Sequence, residues 1–134
     1  MSCKSLIYTV NQGAVAVAAG GVIPLGSINR RFGCGLNLNG NGVVADNPGY
    51  YDLSATVTVQ ATAAGVVTVN MLRDGVLIPG ATASATAAAA GDFVTLPLIP
   101  ADRVKCNDSG HTLTLVLTEG AGTVTNVAFK AIKA

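Results

Sequence analysis

Residues 51–60 read YDLSATVTVQ, and this stretch determines the fold class of the chain. Its apolar residues Leu53, Ala55, Val57 and Val59 alternate strictly with polar ones. Successive side chains of a β-strand point to opposite faces, so this period predicts one apolar and one polar face. Thr and Val also suit a pleated surface. The stretch is therefore predicted to be a half-buried antiparallel strand.

The segment after this strand predicts a hairpin. Residues 66–73 are β-like, and Asp74-Gly75 follows them before an apolar return at residues 76–78. Asp-Gly between apolar runs favours a tight turn because Gly accepts a positive φ. Pro79-Gly80 is expected to break the returning strand. Residues 81–90 are rich in Ala, which favours helix, but Thr and Ser alternate with Ala, so we expect a strand followed by a loop.

Further strands are expected on both sides of this hairpin. Toward the C-terminus they cover residues 93–98, 103–106, 111–118 and 123–132; toward the N-terminus they cover residues 4–10, 14–18 and 27–32. Residues 37–42, rich in Gly and Asn, are expected to be a loop. About eight to ten short strands separated by turn residues are typical of an all-β antiparallel sandwich or jelly roll. No linker or change in composition divides the chain, so residues 1–134 are predicted to form a single domain.

The composition indicates a protein whose surface is partly covered by other molecules. Charged residues make up 11% of the chain and the net charge is +1, against about 25% charged residues in ordinary domains. We expect self-association or incorporation in a larger assembly.

Basic residues are scattered without interleaved aromatics, so no nucleic-acid partner is predicted. No apolar run reaches the roughly 18 residues of a membrane helix, and no membrane partner is predicted. Asn11, Gln12 and Gly13 interrupt the apolar stretch after Lys4, so we predict no signal peptide.

Three cysteines, Cys3, Cys34 and Cys106, occur without metal-binding spacing. Buried thiols that pack as small apolar groups are the simpler interpretation. A disulfide between Cys34 and Cys106 remains an alternative, because distant segments often meet across a sandwich. The sequence does not decide between the two.

The residues that could carry chemistry are few. His111 is the single histidine, and a serine triad with Asp108 and Ser109 would need these side chains to converge from different elements. They are neighbours in sequence, so we interpret them as a polar turn. A calcium site would need oxygen ligands from Asp46, Asp52 and Asp92, but these lack the spacing of a calcium loop; we interpret those three residues as solvated carboxylates. We predict no catalytic residue, no metal site and no cofactor.

Four segments resemble one family when taken in order. Gly49-Tyr50-Tyr51 opens the Thr/Val strand, residues 72–76 read LRDGV, residues 90–96 read AGDFVTL, and residues 127–132 read VAFKAI. Together they resemble the tumour necrosis factor-like jelly-roll superfamily, which includes the complement globular heads. Bacterial and phage members, among them the heads of spore-surface filament proteins, are the most similar. The resemblance covers residues 43–134, whereas residues 1–42 are less regular.

The resemblance implies a ten-stranded, two-sheet antiparallel jelly roll that assembles as a homotrimer. The chain departs from the pattern because it has no Gly-X-Y collagen stalk and few aromatic residues, so ligand residues of the vertebrate heads do not transfer. Tyr50 and Tyr51 should point to opposite faces of their strand, one into the core and one toward a neighbouring subunit. The side chains predicted for the trimer interface are Tyr50, Tyr51, Leu115, Leu117 and Phe129.

The function expected from these features is structural and non-enzymatic. The chain is predicted to be a trimeric capsid decoration, cement or spike protein of a tailed phage, located on the virion and produced in the host cytoplasm. Its expected partners are copies of itself and a capsid or other particle surface. The alternatives are a binding module that recognises a glycan or host receptor and a spore-surface structural protein.

Overall fold

The computed structural model describes residues 4–33, 35–104 and 110–133. Cys3, Cys34 and Cys106 lie outside these ranges, and so does the alternative of a disulfide between the last two. Within them the chain forms thirteen strands, numbered β1–β13 in chain order. One sheet has seven strands: β1 (Ser5–Asn11), β2 (Val15–Val17), β4 (Ser27–Phe32), β7 (Gly49–Ala61), β10 (Phe93–Leu98), β11 (Ala101–Val104) and β13 (Gly122–Lys133). The other has six: β3 (Gly21–Ile23), β5 (Leu36–Asn39), β6 (Gly42–Ala45), β8 (Gly65–Arg73), β9 (Val76–Ala87) and β12 (His111–Glu119).

The strand order in each sheet is that of a jelly roll, and all pairings are antiparallel. The seven-stranded sheet runs β10-β7-β13-β1-β4, with β11 also on β7 and β2 also on β13; the six-stranded sheet runs β5-β6-β12-β8-β9, with β3 on β12. Strands far apart in sequence are neighbours in both sheets, as in Greek-key connections. The all-β, two-sheet antiparallel jelly roll expected from the sequence is thus confirmed, with more strands than the predicted number.

The residues of the opening stretch behave as their alternation predicts. Along β7, every second side chain from Tyr51 to Ala61 is buried, while Asp52, Ser54, Thr56 and their successors are exposed or half-buried. The core lies between the sheets, and its two largest fully buried side chains are Tyr51 and Phe129. Because each buried position faces the opposite sheet, a shift of one residue in register would expose the whole apolar set.

The Asp74-Gly75 hairpin between β8 and β9 is confirmed. Both residues have positive φ, 51° for Asp74 and 84° for Gly75, which is the conformation of a type I′ turn. Pro79-Gly80 does not end the returning strand as expected. β9 continues to Ala87, and the pairing with β8 shifts between Asn70 and Leu72, so the extra residues bulge out of the ladder. The strand followed by a loop expected over residues 81–90 is present.

The N-terminal third differs from its prediction at one segment. The expected loop at residues 37–42 is wrong: Leu36–Asn39 and Gly42–Ala45 pair as an antiparallel hairpin. The two turn residues are Gly40, with φ 61°, and Asn41. Asn and Gly are depleted in strands, but here Asn37 and Asn39 point outward while Leu36 and Val43 are buried. Tertiary packing of these apolar residues outweighs the local preference.

Candidate functional site

A buried charge cluster ties the two sheets together at one end of the sandwich. Asp102 lies on β11 of the seven-stranded sheet, and only 2% of its side chain is exposed. The Nη1 atom of Arg73, on β8, lies 2.7 Å from its Oδ1 atom, and Nδ1 of His111, on β12, lies 2.8 Å from its Oδ2 atom. Both partners belong to the six-stranded sheet. The cluster therefore links β11 to the opposite sheet.

This arrangement shows what His111 does among the described residues. His111 is the first residue of β12, the strand predicted over residues 111–118, and its ring contacts Asp102, a partner that the sequence did not indicate. Asp108 and Ser109 lie outside the described ranges. The signal for Asp102 was the alternation of β11, where Asp102 shares a face with Val104 and both are buried. A carboxylate on the core face of a strand needs partners from the other sheet.

The geometry of the cluster suits a structural role and not a catalytic one. Both carboxylate oxygens of Asp102 already accept a partner, and the His111 side chain is only 10% exposed. A catalytic dyad needs access to substrate, which this burial prevents. Among the described residues no group of three or more His, Cys, Asp or Glu side chains is placed to bind a metal ion. Asp46, Asp52 and Asp92 are accordingly not brought together.

Tyr51 closes the core beside this cluster. Its phenol donates a hydrogen bond of 2.6 Å to the Asn47 carbonyl oxygen. Burial raises the pKa of the Tyr51 phenol above its ordinary value of 10.0, and the nearby carboxylates of Asp46 and Asp102 act in the same direction. Both effects disfavour a phenolate, so the ring remains neutral within the core.

The five side chains predicted for a trimer interface fall in two different environments. Tyr51, Leu115, Leu117 and Phe129 are at most 1% exposed and pack in the core of their own chain. They have no surface left for a second copy, and this part of the prediction is corrected. The alternation correctly predicted that these four side chains are buried. They are buried between the two sheets of their own chain, however, and not between two subunits.

Tyr50 alone of the five is available for contact. It is 62% exposed, and the Arg103 guanidinium carbon lies 5.4 Å from the centroid of its ring. The two residues are directly opposite each other on β7 and β11. A cation stacked on an exposed aromatic ring is common at protein interfaces.

The outer face of the seven-stranded sheet is the largest candidate contact surface. Directly opposite residues of paired strands share a face, so the registers of β4, β1, β13 and β7 define rows across it. These rows are Phe32, Leu6, Ile132 and Asp52; then Arg30, Tyr8, Lys130 and Ser54; then Ser27, Val10, Ala128 and Thr56. We call these twelve residues the row surface. Apolar side chains lie on all of these strands except β7, with Arg30 on β4, Lys130 on β13 and Asp52 on β7 among them.

A depression of about 350 Å³ lies within the row surface. It forms because Ala128 is small while its neighbours Tyr8 and Lys130 are long. Ser54 and Thr56 supply hydroxyl groups to its wall, and Lys130 supplies an ammonium group. Such a recess in an otherwise flat sheet can receive a protruding side chain.

The outer face of the six-stranded sheet has a different character. Its polar side chains contact one another: the Thr68 and Ser84 hydroxyls lie 2.8 Å apart, and the Asn70 amide donates to the Thr118 hydroxyl at 2.7 Å. Hydrogen bonds made within the face reduce what it offers to a partner. The row surface, with half-buried apolar groups, is the stronger candidate for contact.

Comparison with solved structures shows the same fold in proteins of several kinds. Murine APRIL superposes with a TM-score of 0.69 at 14% identity, covering 98% of this chain and 99% of that one. The globular domain of the zebrafish complement 1qA protein gives 0.66 at 6% identity, covering 93% and 94%. The PRD1 vertex protein P5 gives 0.60 at 14% identity, covering 96% and 72%. No protein-family model and no curated protein sequence matches the chain.

These similarities establish the fold of the chain, but at such low sequence identity they do not define its function. The chain has the jelly roll shared by tumour necrosis factor-like proteins and the complement globular heads, as its sequence motifs suggested. The fold supports several functions. In the described part of the chain there is no helix long and apolar enough to cross a membrane.

Proposed function

We propose that this chain is a non-enzymatic structural protein of a virus particle, a homotrimer that decorates, cements or projects from the shell of a tailed phage. The row surface is the observation that carries the proposal. Leu6, Tyr8, Val10 and Ile132 lie side by side on an outer face of the sandwich and are only partly buried by their own chain. A contiguous apolar area that stays partly exposed on an outer face is typical of a protein contact surface.

A cyclic trimer needs two different surfaces on each copy, since residue i of one copy meets residue j of the next. The row surface supplies the first. The second is the opposite edge of the same sheet, where Phe93 is 60% exposed and Ile99 is 84% exposed. Phe93 is the first residue of β10, an edge strand, and Ile99 directly follows its last residue. Covering both surfaces would account for the low charge of the chain.

The similarity to a vertex protein of the phage PRD1 supports a location on a particle. The buried cluster of Arg73, Asp102 and His111 supports a structural role, because its carboxylate is fully occupied in joining the sheets. Such a link stiffens the end of the sandwich that carries Tyr50 and Arg103. A rigid platform for contact suits a protein that works by binding to a lattice.

The proposal is tested first by the oligomeric state. Sedimentation velocity at micromolar concentration should give a trimer, and Ile132→Asp should give a monomer because it places a charge in the apolar centre. The matched control is Val116→Asp, which makes the same change on the outer face of the six-stranded sheet and should leave the trimer intact. A monomeric wild type would refute the proposal.

The second test is binding to a shell. The trimer should co-sediment with purified capsids of a tailed phage that encodes this chain and should saturate at a fixed copy number per capsid. Ile132→Asp should lower the bound amount if trimerisation is required for attachment. Absence of binding, together with reproducible hits on a glycan array, would instead favour the receptor-binding alternative.

A further inference from the structure

The charges on the row surface are ordered across the sheet. Arg30 lies on β4 at one edge, Lys130 lies on β13 in the middle, and Asp52 lies on β7 beyond it. None of the three forms an ion pair with a residue that the structure describes. Arg30 therefore places a positive charge on β4, and Asp52 is the negative charge of the row surface, on β7.

Distance keeps Arg30 and Asp52 apart within one chain, whereas Lys130 lies on the strand next to Asp52. Three strand spacings of roughly 4.8 Å separate β4 from β7, which places Arg30 and Asp52 on the order of 14 Å or more from each other. The screening length at physiological salt is about 8 Å, so neither charge neutralises the other. Each is available to a charge of opposite sign on another molecule.

Unlike Arg30, the neighbouring Arg31 is hydrogen-bonded within its own chain. Its Nε atom donates to the Leu36 carbonyl oxygen at 2.9 Å, and its Nη2 atom donates to Oδ1 of Asn37 at 2.6 Å. Arg31 thus fastens β4 to β5 of the opposite sheet. Arg103, which lies on the same flank as Asp52, is stacked over Tyr50. This leaves Arg30 and Asp52 as the pair of opposite charges at the two flanks of the row surface.

We propose that Arg30 of one copy pairs with Asp52 of the next copy around the three-fold axis. This inference rests on the proposed trimer and adds the contact that fixes its direction. Rotation about an axis along the strands brings the β10–β11 edge of each copy beside the β4 edge of its neighbour. Asp52 lies one strand inside that edge, within reach of the long Arg30 side chain at each of the three contacts. Lys130, between the flanks and on the wall of the depression, adds to the positive side. A copy placed in the reverse direction would bring like charges together.

A charge-swap experiment tests the pairing. Trimer dissociation is measured by sedimentation at 50 mM salt for wild type, Arg30→Asp, Asp52→Arg and the double swap. An exposed ion pair contributes about three- to five-fold to an equilibrium constant, which for three equal contacts multiplies to about 27- to 125-fold. Each single reversal should weaken the trimer by at least that factor, and the double swap should restore it to within about fivefold of wild type.

The matched control is Arg30→Asp combined with Glu119→Arg. It has the same net charge as the double swap, but Glu119 lies at the end of β12, outside the row surface. This control should remain as weak as Arg30→Asp alone. Circular dichroism confirms folding of each variant, and the wild-type trimer should also weaken between 50 and 500 mM salt.

The outcomes separate the two proposals. A wild type that stays monomeric removes the proposed trimer itself. A wild-type trimer that is insensitive to both single reversals and to salt overturns only the Arg30–Asp52 contact. Equal restoration by the double swap and by the Glu119→Arg control would likewise overturn it, since net charge would then explain the effect.

Discussion

Replacing Asp102 by Asn perturbs the cluster that joins the two sheets while preserving the volume of the side chain. The carboxylate has partners at both oxygens, Arg73 at 2.7 Å and His111 at 2.8 Å. The amide retains one acceptor oxygen and directs an NH₂ group toward the other partner. One of the two contacts is therefore lost or becomes repulsive.

The expected loss of stability depends on how far each partner of Asp102 is buried. The Arg73 side chain is 36% exposed, so its ion pair is screened by solvent and contributes about 1 kcal/mol or less. The His111 side chain is 10% exposed, and a buried hydrogen bond to a charged group contributes about 1.5–3 kcal/mol. Because one of the two contacts is lost, we expect Asp102→Asn to lower the free energy of unfolding by about 1–3 kcal/mol. For a chain of this length that lowers Tm by roughly 4–11 °C.

Urea denaturation followed by circular dichroism at pH 7 and one fixed protein concentration provides the measurement, since assembly makes stability depend on concentration. Arg73→Gln should cost about 1 kcal/mol or less, and Asp102→Asn should cost less in a His111→Gln background than in wild type. Glu119→Gln, an exposed change of the same chemistry, should stay within about 0.5 kcal/mol of wild type. An Asp102→Asn protein as stable as wild type would refute the assigned role of the cluster.

Three further predictions concern single positions. Gly26→Ala should destabilise by more than about 3 kcal/mol, because a Cβ atom there would lie 2.1 Å from a β1 carbonyl oxygen; Gly20→Ala, with nearly the same φ and nothing within 4 Å, should cost only about 1–2 kcal/mol in the same urea titration. Thr9→Val should raise the free energy of unfolding by about 1 kcal/mol, since the buried Thr9 hydroxyl has no hydrogen-bond partner among the described residues; a loss above 1 kcal/mol in calorimetry would mean that the hydroxyl is bonded. The raised pKa of Tyr51 leaves stability unchanged below pH 10, where the phenol is protonated in both states, and lowers it above pH 10, where the unfolded phenol ionises first. Tyr51→Phe should therefore flatten the loss of stability between pH 10 and 11, whereas Tyr50→Phe, at an exposed position, should not.

The N-terminal hairpin and the charge cluster mark the limit of reading local patterns. Asn37 and Gly42 favour a loop by their own preferences, and only the burial of Leu36 and Val43 against the other strands makes the segment a hairpin. Asp102 and His111 lie nine residues apart and belong to different sheets. No spacing rule connects them, because their contact depends on how the two sheets stack.

The predicted trimer interface shows a second limit of local sequence patterns. Leu115, Leu117 and Phe129 were correctly assigned to an apolar face, but an alternating pattern does not state whether the covering surface belongs to the same chain or to another. The sequence did not indicate that Leu6 and Ile132 belong to an interface. Each is a single outward apolar residue beside a buried one, Ile7 and Ala131, and neither breaks the pattern of a half-buried strand. Their significance comes from the register that sets them side by side.

The sequence by itself determined the fold class, the main hairpin and the identity of most core positions, because side-chain alternation in a strand is a local property with a period of two. The tertiary structure decided which strands are neighbours, which charges meet and which apolar face remains uncovered. Those features depend on contacts between residues far apart in the chain, and their free energy depends on burial and distance, which exist only once the two sheets have packed.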